Sequence, residues 1–244
     1  IFNADIILNT ASQEFKSRFI ETIITQINHL KNNLKFEKDI GKKIEILSIV
    51  YLSGLVFKKY EYNYEFASKE LQKIITYFFD TSGFPITRNS LDLIKYSKYF
   101  IIIKECTRAA QHVVPDFLDK IVTKNLSCFQ ELLTPNNKMP LFNGVTEIDL
   151  NEFKNYLLNF NLKSNFSLKN IGGIQIMRHK KDIIYFDLGK PPEKKFSSVY
   201  QSGPLSFEYF FDKEKVITNC GFGSSISKKA ILISRLTSAQ STLC

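Results

Sequence analysis

The sequence predicts an α+β chain in which an array of helices comes first and antiparallel β-strands follow. Apolar residues recur three or four positions apart through the first two thirds of the 244 residues, a spacing typical of amphipathic helices. After about residue 165, short β-type runs separated by turn residues replace that spacing. The two patterns do not alternate, which favours two separate domains. We therefore expect a helical domain at 1–165 and a β-sandwich domain at 166–244.

Six segments of the first domain carry the helical pattern. Gly83 and Pro85 interrupt the chain after the third segment, and Pro115 is placed to be the first residue of the fifth. The similar lengths and short connections favour an array of antiparallel helix pairs. The predicted helices are 14–34, 42–57, 64–79, 90–112, 115–133 and 149–160.

Five runs of the second domain carry the strand pattern, with turn sequences between them such as His179-Lys180-Lys181. This spacing is typical of antiparallel strands in a sandwich. Because the chain begins at Ile1 and ends at Cys244 just after a strand-like run, we expect it to be a fragment. The predicted strands are 173–178, 182–188, 205–211, 215–219 and 231–236.

Charge and cysteine content exclude several classes of protein. The formal net charge is +9, which permits an acidic polysaccharide, a nucleic acid or an anionic membrane as partner, or simply a solvated basic surface. No basic stripe interleaves with aromatic residues, which argues against nucleic acid. No apolar run approaches the roughly 18 residues of a transmembrane segment. The four cysteines match neither a zinc pattern nor a CxxC redox motif.

Short motifs in the order expected of one family run from about residue 83 to 243. Their sequences are GFPITRNS at 83–90, PLFNG at 140–144, DLGKPP at 187–192, SGPLSFEY at 202–209, VITNCG at 216–221 and RLTSAQSTL at 235–243. Together they resemble the heparinase II/III-like family, in its alphaproteobacterial-type branch. The resemblance implies an incomplete α/α-toroid followed by the first strands of the C-terminal β-sandwich.

The same resemblance implies a polysaccharide lyase located in the cell envelope or periplasm. Such enzymes cleave the bond next to a uronic acid by β-elimination. One group neutralises the carboxylate, a base takes the adjacent C–H proton, and an acid protonates the leaving oxygen. The resemblance therefore implies an acidic polysaccharide as partner.

The sequence departs from the family where that chemistry is expected. The family pattern places histidines at 199, 201 and 240, an aspartate at 203, and, in metal-binding members, an aspartate at 219. This chain has Val199, Gln201, Gly203, Asn219 and Gln240 instead. Because zinc prefers imidazole, thiolate and carboxylate donors, we expect neither a metal nor another cofactor, and the β-domain lacks its acid/base histidine. For the remaining histidines, His29, His112 and His179, we favour a structural or solvent-exposed role.

Five residues are the candidates for the site. Asn89 and Tyr96 are the predicted catalytic residues, and Arg88, Asn143 and Gln201 the predicted substrate-binding residues. Arginine and asparagine both donate hydrogen bonds to carboxylates.

Structural alternatives stay open for these residues. Arg88 and Asn89 also suit the start of the helix near Ser90, Tyr96 suits packing, and Asn143 suits a turn. The sequence accordingly supports two main functions, a lyase and a non-catalytic acidic-glycan-binding or envelope-assembly protein that keeps the lyase fold. A structural α-solenoid role is a third.

Overall fold

A computed structural model describes residues 4–160, 162, 168 and 170–242. Within them, seven α-helices precede five strands, and a short helix follows. The helices are α1 (Ala4–Leu8), α2 (Gln13–Asn33), α3 (Ile40–Val56), α4 (Tyr62–Phe78), α5 (Ser90–Ala109), α6 (Asp116–Leu132), α7 (Asn151–Asn159) and α8 (Lys228–Ser234). The strands are β1 (Asn170–Ile171), β2 (Ile174–His179), β3 (Asp182–Asp187), β4 (Phe207–Phe211) and β5 (Glu214–Ile217).

The six predicted helices are confirmed, with ends set by local capping. The Ser12 side chain accepts a hydrogen bond from the Phe15 N–H at 3.2 Å and so begins α2. Asp39 begins α3 in the same way, through the Lys42 N–H. Such caps satisfy N–H groups that have no partner inside the helix. The sequence predicts Pro115 as the first residue of this helix, but it occupies the cap position, and α6 begins at Asp116.

The chain divides into two compact units that do not coincide with the predicted domains. Unit 1 comprises Ile1–Ile74 and Cys106–His112, and unit 2 comprises Ile75–Glu105 and Val113–Cys244. The predicted boundary at 165 stays a prediction, since it falls on residues outside those described. In unit 1, α3 supplies much of the core, and its buried Tyr51 hydroxyl lies 3.0 Å from Thr107 Oγ1. Burial raises the pKa of Tyr51 well above its usual range.

Unit 2 packs helices against one face of an antiparallel sheet. The strands lie in the order β1-β2-β3-β4-β5, each antiparallel to its neighbours. Because alternate residues of a strand face the same side, Ile174, Ile176, Tyr185 and Phe210 reach one core. Helical residues of that core include Leu93, Ile94, Cys128, Phe129, Leu132 and Phe153. Burial raises the pKa of Tyr185 to about 12.

Four of the five predicted strands are confirmed, and the fifth is wrong. Residues 231–236 fall mostly in α8, which ends at Ser234. The Ser227 side chain accepts from the Ala230 N–H at 3.1 Å and caps this helix, whereas the apolar composition of the run had suggested a strand. The segment that resembles a family strand at 235–243 contains a 3₁₀ turn at Thr237–Ala239, and Leu243 lies outside the described residues.

The predicted fold class is confirmed, because a helical region precedes an antiparallel sheet. Among the described helices, none is both long and apolar enough to cross a membrane.

Candidate functional site

The loop between α4 and α5 places the first two candidate residues, Arg88 and Asn89. Asp80 Oδ1 accepts hydrogen bonds from the N–H groups of Ser82 and Phe84, both at 2.9 Å, and so folds the loop on itself. Arg88 has the left-handed backbone conformation, with φ of 59°. At Asn89, the side-chain Oδ1 accepts from the Leu91 N–H at 2.8 Å and caps α5.

Arg88, Asn143 and Asp187 form a buried group that we call the charged hub. The Arg88 guanidinium pairs through Nη2 with the Asp187 carboxylate at the end of β3. Its Nε donates to the Gly172 carbonyl at 2.7 Å, and its Nη1 to the Gly189 carbonyl at 3.1 Å. Only 6% of Arg88 and 4% of Asp187 is exposed. Three nitrogens of Arg88 are therefore engaged by protein oxygens.

Asn143 completes the charged hub from the loop before α7. Its backbone is left-handed, with φ of 55°, and its Nδ2 donates to Asp187 Oδ2 at 3.2 Å. The Gly189 N–H also points to this carboxylate, 3.3 Å from Oδ1. Asp187 thus accepts from three segments of unit 2.

Glycine is required where the backbone approaches the guanidinium. A Cβ at Gly189 would lie 2.4 Å from Arg88 Cζ, closer than any real contact. The Asp187-x-Gly189 motif therefore joins the carboxylate that pairs with Arg88 to the small residue that makes room for it.

Gln201, Gln240 and Ser234 form a second group, which we call the amide cluster; Gln201 and Ser234 are buried, and Gln240 is partly exposed. Gln201 Oε1 accepts from the Gly144 N–H at 3.0 Å, and its Nε2 donates to the carbonyls of Gly221 at 2.9 Å and Ser234 at 2.8 Å. Gln240 Nε2 donates to the same Ser234 carbonyl at 2.7 Å. Two of the three positions where the family pattern has histidine, 201 and 240, therefore converge on one carbonyl oxygen.

The structure brings four of the five predicted site residues together. Arg88 and Asn143 share the Asp187 carboxylate, and Gln201 binds the backbone of Gly144, the residue after Asn143. A Cβ at Gly144 would lie 3.0 Å from Asn89 Nδ2. The Asn89 side chain therefore borders Gly144, which Gln201 also binds.

The two polar atoms of the Asn89 side chain differ in their partners. No described residue accepts a hydrogen bond from its Nδ2, whereas its Oδ1 caps α5. The predicted carboxylate-binding role of Arg88 stays a prediction, since its described contacts are all with protein oxygens.

Tyr96 lies about two turns beyond Asn89 along α5. Its ring packs edge-on against Phe78 and Phe79, with centroid distances of 5.6 and 6.0 Å. Only 5% of Tyr96 is exposed. The assignment of Tyr96 to proton transfer stays a prediction. Its ring is packed against other aromatic rings.

Sequence reasoning missed two residues of the site, Asp187 and Tyr200. Asp187 stood in a recognised motif, but nothing in that motif identified Arg88 as its partner. Tyr200 is half-buried and precedes Gln201. Burial and the nearby Asp187 raise the pKa of the Tyr200 phenol, against a smaller lowering by Arg88. No sequence pattern distinguished Tyr200 from the other tyrosines.

The three histidines lie elsewhere in the described structure. His29 is on an exposed face of α2, the His112 ring lies 5.5 Å from that of Tyr64, and His179 ends β2 in an exposed position. Among the described residues, no group of three or more His, Cys, Asp or Glu side chains is arranged to hold a metal ion.

Comparison with sequence families confirms the resemblance inferred from the motifs. Residues 163–244 match the family described as heparinase II/III-like, C-terminal. No curated protein matches the chain by sequence.

Solved structures of the same fold extend the likeness to the helices. A crystal structure of heparinase III superimposes with a TM-score of 0.76 and 14% identity over 97% of this chain and 44% of its own. The heparan sulfate lyase HepC from Pedobacter heparinus gives a TM-score of 0.71 and 14% identity over 91% of this chain and 39% of its own. At these identities the likeness establishes the fold, a partial α/α-toroid followed by the first strands of a β-sandwich. The chain spans about two fifths of the length of these lyases.

Proposed function

We propose that this protein acts on a uronic-acid-containing polysaccharide as a lyase, by β-elimination, with Asn89 binding the uronate carboxylate. The observation that carries the proposal is the Nδ2 donor of Asn89, for which no described residue is an acceptor. It borders Gly144 at the start of α5, and the positive end of a 20-residue helix favours an anion there. The lyase-like fold and the net charge of +9 support the same class of substrate. A location in the cell envelope or periplasm is part of this proposal.

Asn89 and Tyr200 suit two of the three tasks in β-elimination. An amide N–H that donates to the carboxylate stabilises the charge that builds up when the adjacent C–H proton leaves. The Tyr200 phenol is protonated at neutral pH, as tyrosines ordinarily are, and a protonated phenol can donate to the leaving oxygen. A Cβ at Gly144 would lie 2.5 Å from Val199 Cγ2. The segment carrying Tyr200 therefore borders Gly144, as Asn89 does.

A second function, acidic-glycan binding without cleavage, is favoured by the amide cluster. Amide side chains do not titrate in the physiological pH range. Both Gln201 and Gln240 also direct their Nε2 groups to backbone carbonyls inside the protein. Neither residue therefore offers the acid/base chemistry of the histidines in the family pattern.

The test is ultraviolet absorbance of the unsaturated uronate product, measured with the full chain and a panel of acidic polysaccharides. Asn89→Asp keeps the oxygen that caps α5 and removes the donating amide. We expect the rate to fall by about a hundredfold or more, as when an oxyanion donor is lost. Asn137→Asp is the matched control, since Asn137 is exposed and accepts from Lys154 Nζ.

Each outcome decides between the two functions. A rise in absorbance that Asn89→Asp abolishes and Asn137→Asp leaves intact supports the lyase. A flat trace with polysaccharide binding that depends on Asn89 supports recognition without cleavage. Absence of both cleavage and binding across the panel would refute both functions.

A further inference from the structure

The backbone at Arg88, immediately before Asn89, is in a conformation that needs support from other residues. A left-handed conformation is unfavourable for a residue with a Cβ, because the Cβ comes too close to the following carbonyl oxygen. Arg88 holds this conformation immediately before Asn89. Its side chain reaches Gly172, Gly189 and Asp187, which lie 84 to 101 residues away in the sequence. The direction of Asn89 therefore depends on the anchoring of its neighbour's side chain.

Asp187 holds both the residue before Asn89 and the loop beside the Asn89 side chain. One carboxylate oxygen pairs with Arg88, and the other accepts from Asn143 Nδ2 at 3.2 Å. Asn143 leads directly into Gly144, which lies beside Asn89 Nδ2. One carboxylate thus fixes the chain before Asn89 and the loop opposite it.

We propose that Asp187 is a positioning residue, which aims the Asn89 amide at the substrate carboxylate by holding Arg88 and Asn143. This inference rests on the proposed function for the identity of the substrate. Asp187 itself is 4% exposed and acts through the two side chains that it binds. A displacement of about 1 Å at a reacting group is enough to slow a reaction about a hundredfold.

The first test compares Asp187→Asn with Asp182→Asn. Both substitutions are in β3, but Asp182 accepts from the Tyr209 hydroxyl at 2.6 Å at the other end of the strand. Amide hydrogen exchange over residues 88–91 reports the fixing of this segment without any substrate. We expect Asp187→Asn to speed exchange of the Leu91 N–H and to lower kcat by about a hundredfold with a smaller change in KM. Asp182→Asn should change neither.

A second variant displaces the guanidinium and leaves the carboxylate intact. In Gly189→Ala the new methyl group would lie 2.4 Å from Arg88 Cζ. The Arg88 guanidinium must therefore move from its position beside Asp187. We expect the same exchange increase at Leu91 and the same loss in kcat. This variant keeps the test decisive if Asp187→Asn does not fold.

The outcomes separate this inference from the proposed function. Unchanged exchange at 88–91 in the folded variants would overturn the positioning role of Asp187, whatever the activity. Faster exchange together with an unchanged kcat would overturn it as well. If the unsubstituted protein cleaves nothing, the lyase proposal fails, and Asn89-dependent polysaccharide affinity replaces kcat as the second readout.

Discussion

The charged hub and the amide cluster both lie in unit 2, yet they are built from opposite kinds of chemistry. The hub contains a guanidinium and a carboxylate, and the cluster contains neutral amides that bind backbone groups. Removing one member of a buried ion pair leaves an uncompensated charge, whereas removing a buried amide leaves unpaired dipoles. The comparison therefore predicts that the two groups differ in how much stability a single substitution removes.

The largest loss is expected for Arg88→Met, which leaves Asp187 buried without its cation. The free energy of unfolding, measured by chemical denaturation, should fall by about 3–5 kcal/mol. Arg18→Met is the control, because Arg18 pairs with Glu14 in a mostly exposed ion pair and should lose at most about 1 kcal/mol. Similar values for the two variants would show that the buried pair is not structurally important.

An intermediate loss is expected for Gln201→Ala, and a smaller one for Gln240→Ala. Gln201→Ala leaves the Gly144 N–H and the Gly221 carbonyl without their partner, at about 2–4 kcal/mol in total. In Gln240→Ala the Ser234 carbonyl still accepts from Gln201, so the loss should be about 1 kcal/mol. The reverse order in denaturation experiments would contradict this hydrogen-bond assignment.

The smallest effect concerns an exposed ion pair, Lys138 with Glu147. The hydrogen bond from Lys138 at 2.7 Å lowers the pKa of Glu147. Its contribution is therefore present above the unfolded-state pKa and is lost as the pH falls through the lower folded-state value. Because both side chains are substantially exposed, Glu147→Gln should cost less than about 1 kcal/mol at pH 7. Denaturation in acid should show no difference from the unsubstituted protein, and a difference that persists there would refute the assignment.

Local chemistry made much of the fold predictable. Apolar spacing located α2 to α7, and Asn89 was recognised as a residue suited to cap the helix that begins at Ser90. The error at 231–236 arose because Ile231, Leu232 and Ile233 suit a strand by composition, whereas the Ser227 cap begins a helix there. Short apolar runs of this kind do not distinguish the two structures.

The site was predictable only in some of its members, and not in the connections between them. Arg88, Asn89, Asn143 and Gln201 were candidates, but the carboxylate that joins two of them comes from Asp187, 99 residues beyond Arg88. No periodicity relates residues so far apart. The enclosure of Tyr96 by Phe78 and Phe79 likewise depends on how α4 and α5 pack, which helical spacing does not determine.

The separation of Arg88 and Asp187 also sets an order of events during synthesis. At about 5–20 residues per second, Asp187 is added roughly 5–20 s after Arg88, which is ample time for α5 and α6 to form. Throughout that interval Arg88 cannot form its ion pair with Asp187. The nascent chain therefore carries α5 and α6 before the loop between α4 and α5 can bind β3. That contact, between Arg88 and Asp187, forms only after β3 has left the ribosome. A chain whose synthesis stops before residue 187 cannot form the charged hub.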